Sequence, residues 1–396
     1  MRVSRLPRRY PESVRIVSVV GTRPQLIKAA ALSPVLRRQH DEVFVDTGQH
    51  WDDSMAGSFF AELGLPKPDV SLAAGGGSHA EQTATILRGV EELLVRDRPD
   101  AVVVYGDTNS TLGGSLAASK LGIPIAHVEA GLRSFDRRMP EEVNRVVADH
   151  LARWRFAPTP TAVANLEAEG VTTGVELVGD LMQDLAARVS GEVTDVAALD
   201  AVEAQLAAGG HRVPLRQGRF LFATIHRAEN RTPAAIAAWT ALLRAIATPE
   251  RPVVLALHPG TRVAMAATGA DPGPDVVVVE PLGYRSSLTL QLHAAAVITD
   301  SGGIQREAAW LGTPCLVLRS TTEWVEAVEG SGGRMAVIGL DAARAVAELA
   351  RLAPAAGDAG AGERARRLRI EPAGAAEAIA ARLSADGAAP AVVPAR

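Results

Sequence analysis

The sequence predicts an α/β protein with two Rossmann-like, doubly wound domains. The chain has 396 residues, which is too long for one average domain and suits two. Short β-branched apolar stretches alternate with helical segments, as in βαβ units built around parallel sheets. These strand candidates form two consecutive series along the chain, so we expect one sheet in each domain.

The first series has six strand candidates, and helices such as Pro24–Arg38 and Ala80–Arg96 are expected between them. In chain order the six strands are Arg15–Val20, Glu42–Asp46, Ala101–Tyr105, Ile125–Glu129, Arg155–Ala157 and Val175–Val178. The second series has five, namely Arg219–Thr224, Pro252–Leu257, Val276–Glu280, Ala296–Asp300 and Pro314–Leu318. Ligands of open α/β sheets bind beyond the carboxyl ends of the strands, so two facing domains should form a ligand cleft.

The expected domain change lies near Gly179–Asp184. Leu185–Gln217, rich in Ala, Val and Glu, is expected to form an early helix of the second domain, followed by a loop that contains Gly-Gly. The predicted divisions are an N-terminal domain at 12–181, a C-terminal domain at 182–370, a closing helix at 371–385 that returns to the N-terminal domain, and flexible ends at 1–11 and 386–396.

Composition excludes several classes of partner. The net charge of −4 provides no broad basic surface, so nucleic acid is not expected as a partner. No apolar run approaches the ~20 residues of a membrane helix, and no membrane partner is expected. The single cysteine, Cys315, lies in an apolar run; it fits a buried residue and a reducing cytoplasm. Metal-ligand spacings, a P-loop and a GxGxxG after the first strand are all absent, so we predict no metal and no cofactor.

The most informative stretch is the strand that ends in Asp300 and continues as Ser301-Gly302-Gly303. A helix is expected from Ile304, and a strand, a glycine turn and a helix N-terminus together aim backbone N–H groups at a phosphate. Glu307, one to two turns into the helix, is a candidate for a ribose diol. An ordinary strand–helix turn is the alternative.

A second anion site is predicted after the first strand. Gly21 frees the turn, Pro24 suits a first helical turn, and Arg23 and Lys28 bring two cations to a helix N-terminus. Cations there are unfavourable unless an anion joins them, and a diphosphate would do so. Solvated surface side chains are the alternative.

Three acids follow strand ends of the first domain and are candidates for proton transfer: Asp107, Glu129 and Glu141. Asp107 could instead cap the helix that follows it, and Glu141 or Glu142 could be ordinary first-turn acids. In the second domain, His226 follows a strand and could act as an acid, a base or a phosphate-binding cation. A structural histidine is its alternative.

Together these runs resemble the non-hydrolysing UDP-N-acetylglucosamine 2-epimerase family. The matching stretches are Gly21–Lys28, Asp46–His50, Tyr105–Thr108, His127–Arg133, Pro140–Arg145, Thr224–Asn230, Asp300–Glu307 and Thr322-Glu323. The resemblance implies a glycosyltransferase-B-like fold, usually as a homodimer. It implies a UDP-sugar substrate and conversion of UDP-GlcNAc to UDP-ManNAc, by elimination of UDP to a bound glycal and re-addition.

The resemblance also assigns roles by position. Asp107, Glu129 and Glu141 match the acid/base carboxylates, and His226 matches the histidine that stabilises the departing UDP. The residues that match UDP contacts are Arg23, Lys28, Arg145, Ser301, Gly302, Gly303 and Glu307.

Some positions depart from the family pattern. Gln25 stands where many members have Glu, Arg306 replaces an acid, and Gly260 stands where Arg often follows His-Pro. Gln49-His50-Trp51 and Glu81-Gln82 replace cations that hold a second, activating substrate molecule in many bacterial members. We therefore predict that activation by substrate is absent or weak.

Three alternatives stay open from the sequence. The same fold also supports glycosyltransferases and non-catalytic nucleotide-sugar-binding proteins. A third alternative keeps the chemistry and changes the substrate to a related UDP-2,3-diacetamido sugar or uronate.

Overall fold

The computed structural model of the chain describes residues 13–49, 60–353 and 358–386. The predicted flexible ends, apart from Asp386, lie outside the described residues, and so do His50 and Trp51. By its internal contacts the chain divides into two compact units. Unit 1 contains the residues up to Leu185 and those from Pro372 onward, and unit 2 contains Ala186–Glu371.

Unit 1 is built on a seven-stranded parallel sheet. Its strands are β1 (Arg15–Val20), β2 (Asp41–Asp46), β3 (Val70–Ser71), β4 (Ala101–Tyr105), β5 (Ile125–Val128), β6 (Trp154–Ala157) and β7 (Val175–Leu177), in the order β3-β2-β1-β4-β5-β6-β7. The order reverses beside β1, which is the topological switch point of a doubly wound sheet. The strands are apolar on both sides because helices cover both faces, as in other parallel sheets.

Several helices of unit 1 begin at residues whose side chains cap them. The helices of unit 1 are α1 (Arg23–Gln39), α2 (His79–Asp97), α3 (Asn109–Lys120), α4 (Pro140–Leu151) and α5 (Pro160–Ala168). The start of α6 (Leu181–Val193), as far as Leu185, also belongs to unit 1, as does a C-terminal helix described below. Ser78 and Glu81 form a capping box at α2, and Thr108 caps α3.

Unit 2 repeats the architecture with six parallel strands. They are β8 (Leu221–Ile225), β9 (Val253–Leu257), β10 (Val276–Val279), β11 (Ala296–Thr299), β12 (Cys315–Val317) and β13 (Met335–Val337), in the order β10-β9-β8-β11-β12-β13. The helices after α6 are α7 (Val196–Ala208), α8 (Pro233–Ile246), α9 (Pro259–Thr268), α10 (Tyr284–His293), α11 (Gly302–Leu311), α12 (Val325–Gly330), α13 (Ala342–Leu352) and α14 (Asp358–Arg367). Trp239 and the β8, β9 and β11 side chains are buried in its core.

The last helix, α15 (Ala375–Asp386), belongs to unit 1. The Asp184 carboxylate accepts hydrogen bonds from the backbone N–H groups of Gly374 (2.8 Å) and Ala376 (2.9 Å), and so fixes the start of this helix. Ser384 Oγ lies 2.9 Å from His40 Nε2 at the end of α1. Helix α15 therefore packs against α1 within unit 1.

Two local predictions differ from the structure. Leu185–Gln217 was expected to contain one helix, and this is wrong: α6 ends at Val193, and α7 begins at Val196 after Asp195, whose carboxylate accepts from Ala197 N at 3.0 Å. Strands β3 and β13, two and three residues long, were not predicted, because such short strands carry too little alternation to recognise.

Cys315 is buried in β12, as the sequence predicts, and burial raises the pKa of its thiol to about 12. Within the described parts of the chain, no helix is both long and apolar enough to cross a membrane.

Candidate active site

The carboxyl ends of β1, β4 and β5 bring two of the predicted acids of unit 1, Asp107 and Glu129, to one edge of the sheet. These strands are neighbours in the sheet, so the turns that follow them share one edge. The glycine that opens the first turn is required by packing: a Cβ on Gly21 would lie 1.9 Å from Thr47 Oγ1 and 2.3 Å from Ser110 Oγ. Arg23 begins α1 immediately after this turn and is half-buried.

Glu129 directly follows β5 and has a left-handed backbone, with φ at 68°. Holding a non-glycine residue there costs on the order of 1–3 kcal/mol, and such strain concentrates at functional sites. Its carboxylate forms an ion pair with the Lys28 ammonium, and the two side chains are 10% and 7% exposed. A Cβ on Gly106 would lie 3.2 Å from the Glu129 carboxylate and 3.5 Å from Lys28 Nζ. The β4 turn therefore lies against this ion pair.

Asp107 does not cap the helix that follows it. Thr108 is the N-cap of α3, and its hydroxyl accepts from Ser110 N at 3.2 Å. The Asp107 carboxylate, 30% exposed, instead forms an ion pair with Arg145 of α4. In the structure, two predicted acids thus pair with two cations that were predicted to contact UDP.

The third acid lies apart from these pairs. Glu141 is exposed in the first turn of α4. Its neighbour Glu142 is buried and accepts hydrogen bonds from Ser134 N (2.9 Å), Ser134 Oγ (2.9 Å) and Phe135 N (3.0 Å). Glu142 therefore shapes the loop between β5 and α4, whereas Glu141 presents its carboxylate to solvent.

Gln25 has a structural role that the sequence did not indicate. Its amide nitrogen lies 2.6 Å from Tyr105 O, 2.9 Å from Thr108 Oγ1 and 3.0 Å from Thr111 Oγ1, and its oxygen accepts from Gly21 N at 2.8 Å. A glutamate carboxylate cannot donate to the Tyr105 carbonyl. The amide therefore ties the first turn to the Asp107 turn.

Asn144 and His127 also contact the turn after β4, and the sequence did not identify either as a site residue. Asn144 Nδ2 donates to Asp107 O at 3.0 Å, and His127 Nε2 lies 2.6 Å from Gly106 O. Both residues are inside motifs that the sequence singled out. The signal that could have identified them is that both are polar residues close in sequence to predicted acids.

In unit 2, the buried carboxylate of Asp300 organises the turn that carries His226. It accepts from His226 N (3.1 Å), Arg227 N (2.9 Å) and Asn230 Nδ2 (2.8 Å). The His226 side chain is 45% exposed, and its Nε2 lies 3.8 Å from Asp300 Oδ1. The backbone of the turn is therefore fixed while the imidazole stays accessible.

Asp300 leads directly into the Ser301-Gly302-Gly303 turn at the N-terminus of α11. Ser301 is the N-cap, and its hydroxyl accepts from Ile304 N at 3.4 Å. A Cβ on Gly302 would lie 2.8 Å from Trp324 Nε1, so a side chain there would collide with the indole. The predicted strand, glycine turn and helix are confirmed as local structure, and anion binding stays a prediction.

Glu307, the predicted ribose contact, is buried in α11. Its carboxylate accepts from Gln291 Nε2 at 2.6 Å. Beside Glu307, the Arg306 guanidinium stacks on the Trp324 ring at 3.7 Å. Arg306, which departs from the family pattern, therefore packs against the same indole that lies over Gly302.

Glu323 is held by two arginines, Arg227 and Arg319, and its side chain is 7% exposed. Burial acts to raise its pKa, but the two guanidinium charges prevail and lower it to about 2. Arg227 also donates to Asp300 O at 3.0 Å, so the pair links the His226 turn to the loop before α12.

The described residues contain no group of three or more His, Cys, Asp or Glu side chains that could hold a metal ion.

Two doubly wound units, with carboxylates at the strand ends of one and a Ser-Gly-Gly helix N-terminus in the other, define a two-domain α/β enzyme of the glycosyltransferase-B-like class. The CalG4 calicheamicin glycosyltransferase, 18% identical with a TM-score of 0.51 over 96% of this chain and 100% of its own, shares the fold. The family model described as UDP-N-acetylglucosamine 2-epimerase matches residues 35–370. The chain therefore belongs to this family and is a nucleotide-sugar 2-epimerase.

Individual relatives agree with this assignment. The chain is 42% identical to the UDP-2,3-diacetamido-2,3-dideoxy-D-glucuronate 2-epimerase of Pseudomonas aeruginosa, and 41% identical to a UDP-N-acetylglucosamine 2-epimerase homolog of Methanococcus maripaludis. Both matches cover 80% of this chain and 86% of the relative. The structure of Methanocaldococcus jannaschii UDP-GlcNAc 2-epimerase in complex with UDP-GlcNAc and UDP is 32% identical, with a TM-score of 0.79 over 94% of this chain and 99% of its own.

Proposed function

We propose that the protein is a non-hydrolysing UDP-N-acetylglucosamine 2-epimerase that interconverts UDP-GlcNAc and UDP-ManNAc. The observation that carries this proposal is the pair of turns in unit 1. They present Asp107 and Glu129 from neighbouring strands, each beside a cation. A reaction that removes and returns a proton at one carbon requires two such groups.

The proposed route begins with loss of UDP. The bond between C1 and the UDP oxygen breaks, a carboxylate takes the C2 proton, and a C1–C2 double bond forms in a bound 2-acetamidoglucal. Re-addition reverses these steps, with the proton delivered to the opposite face of C2 and the UDP oxygen rejoining C1. We propose Asp107 as the first base or its relay, with Glu129 and Glu141 as the remaining acid/base groups.

Unit 2 is proposed to hold the UDP. The α11 N-terminus and the Ser301-Gly302-Gly303 turn offer backbone N–H groups for the diphosphate, and the accessible His226 imidazole would stabilise the departing phosphate. The N-terminal cations Arg23, Lys28 and Arg145 are proposed to add charge. Glu307 would bind the ribose diol by releasing Gln291.

Product identity tests this function. Incubation with UDP-GlcNAc followed by ion-exchange chromatography should yield UDP-ManNAc with the nucleotide still attached. Free ManNAc and UDP in equal amounts would show a hydrolysing enzyme and contradict the proposal.

A second substrate is favoured by one observation, the 42% identity to a UDP-2,3-diacetamido-2,3-dideoxy-D-glucuronate 2-epimerase. The two substrates differ at C3 and C6, so the test is the ratio of kcat/KM values for UDP-GlcNAc and the diacetamido uronate. A ratio that favours the uronate would reassign the substrate and keep the chemistry.

We also expect a cytoplasmic homodimer. The mass of the particle in solution, measured by light scattering, should be twice that of the 41.4 kDa chain.

A further inference from the structure

A network of charged side chains contacts the two acid-bearing turns of unit 1. At its centre is Asp149 of α4, a fully buried carboxylate. His127 Nδ1 lies 2.7 Å from Asp149 Oδ1, and Arg133 Nη1 donates to Asp149 Oδ2 at 2.7 Å. Arg133 in turn makes two 2.7 Å hydrogen bonds to Glu169. The proposed reaction uses none of these residues directly.

The partners of His127 define its charge. Its side chain is completely buried, and both ring nitrogens face groups that only accept: the Asp149 carboxylate and the Gly106 carbonyl, 2.6 Å from Nε2. A neutral imidazole would turn a lone pair toward one of these oxygens, and in this buried site the two would repel each other. Two N–H groups satisfy both contacts, so the geometry requires an imidazolium.

The charges around Asp149 fit this state. His127 and Arg133 both contact its carboxylate, and the Arg155 guanidinium, whose Nε donates to the Asp149 backbone carbonyl, lies nearby. Burial acts to raise the pKa of Asp149, but His127 and Arg133 hold it below its ordinary value. Gly131 N also donates to Asp149 Oδ2, at 3.1 Å, so this oxygen is occupied as a carboxylate acceptor.

The network reaches both turns. Through His127 it holds the carbonyl of Gly106, whose φ of 60° directs the chain into Asp107. Through the Gly131 N–H it holds the loop that begins with the strained Glu129. One buried carboxylate therefore sets the position of the Asp107 turn relative to the Glu129 turn.

We propose that His127 is a positioning residue that donates from both ring nitrogens and, anchored by Asp149, holds the Asp107 turn in register with Glu129. The inference about catalysis rests on the proposed 2-epimerase function. The charge and the position of the turn do not depend on that function, and they are measured separately.

NMR of the 15N-histidine-labelled wild-type protein tests the charge. At neutral pH both His127 nitrogens should show one-bond couplings to hydrogen, assigned by loss of the signals in His127→Phe or His127→Gln. A ring nitrogen with a lone pair would overturn the proposal.

Kinetics of His127→Phe test the positioning. The aromatic ring fills the space but cannot donate, so kcat should fall about 10–100-fold while KM changes less than about threefold. His127→Gln, whose amide can still donate to Gly106 O, should recover to within about tenfold of wild type. The matched control is His40→Phe, another buried histidine of unit 1, whose ring contacts Ser384 and not the turns.

Hydrogen exchange of the peptide 105–111 provides a readout that needs no activity. Exchange should be faster than wild type in His127→Phe and unchanged in His40→Phe. Unchanged exchange together with unchanged kcat in His127→Phe would reject a positioning role. An equal loss of kcat in His40→Phe would reject it too.

If wild-type protein fails to epimerise UDP-GlcNAc, the proposed function fails, while NMR and hydrogen exchange still decide the inference. If His127→Phe does not fold, His127→Leu, which also cannot donate to Gly106 O, provides the same comparison.

Discussion

Asp107 and Glu129 follow the neighbouring strands β4 and β5 but differ in their backbones. Glu129 is held in a left-handed conformation, whereas Asp107 follows a glycine that takes the positive φ instead. Each carboxylate meets a cation supplied by a helix, Lys28 of α1 or Arg145 of α4. The pairing gives both acids defined positions at the sheet edge before any substrate arrives.

Replacing Asp107 by Asn should abolish exchange of the C2 hydrogen while UDP affinity changes by less than about threefold, because the amide cannot carry the proton but preserves the shape of the turn. Exchange is measured by NMR in D2O and UDP affinity by calorimetry. Asp136→Asn, at a surface acid paired with Arg138, serves as the control and should retain activity. Loss of UDP binding in Asp107→Asn would reassign this residue to a ligand or structural role.

Replacing Glu323 by Gln should lower the free energy of unfolding by about 3 kcal/mol, because the buried Arg319 and the partly buried Arg227 lose their anion. Urea unfolding measures this loss, with the exposed Glu329→Gln as the control. An equal, small effect for both variants would contradict the account.

The same carboxylate predicts a pH dependence. Its pKa falls from an ordinary 4.5 to about 2 in the folded protein, so its stabilisation is complete above pH 4.5 and lost as the pH falls toward 2. The stability difference between wild type and Glu323→Gln should therefore shrink across this window. A difference that stays constant down to pH 2 would exclude this origin.

At the scale of elements, the loop after β5 depends on close packing against α5. Gly131 has φ at 82°, and a Cβ there would lie 2.2 Å from Ala162 O. Gly170, after α5, has a similar φ of 78° with nothing within 4 Å of its Cβ position. The two glycines therefore separate the cost of backbone conformation from the cost of a clash.

Gly170→Ala should destabilise the protein by about 1–2 kcal/mol from the left-handed backbone alone. Gly131→Ala should cost about 1–3 kcal/mol more, because the helix carbonyl must move. It should also lower kcat, since the displaced loop carries Glu129. Urea unfolding midpoints measure the stability losses, and kcat measures the effect on activity. Equal stability losses in the two variants would contradict the prediction, because the clash would then cost nothing.

Elements with strong local signals could be predicted from the sequence. The strands β1, β4, β5, β8 and β11 are apolar runs that stop at polar turns, so their carboxyl ends were predicted to within one residue. The break between α6 and α7 depends on one capping aspartate within a helix-forming stretch, and a helical pattern does not reveal it. Contacts such as Gln25 to Tyr105 or His127 to Asp149 join distant elements, and no local pattern specifies such pairs.

At the scale of the molecule, both units share the same order over six strands, but the turns after their central strands differ. Unit 1 ends its central strands in acids and paired cations; unit 2 ends them in a fixed histidine turn and a glycine-rich helix start. We expect the first to act on the sugar and the second to hold UDP.

Activation by a second substrate molecule should be absent or weak. Glu81 stands where the family resemblance expects a cation, and it is committed to a capping box with Ser78 at α2; Trp51 lies outside the described residues. An acid at this position cannot attract a diphosphate. Initial rates should therefore depend hyperbolically on UDP-ManNAc concentration, and a sigmoidal curve that trace UDP-GlcNAc makes hyperbolic would contradict this.

The most direct measurement of the central claim is incubation of the wild-type protein with UDP-GlcNAc in D2O, followed by NMR of the nucleotide sugars. Proton removal at C2 and return from solvent predict UDP-ManNAc with deuterium at C2, and deuterium also in the UDP-GlcNAc that is re-formed. An epimer that retains hydrogen at C2, or UDP release with transfer of the sugar, would contradict the account.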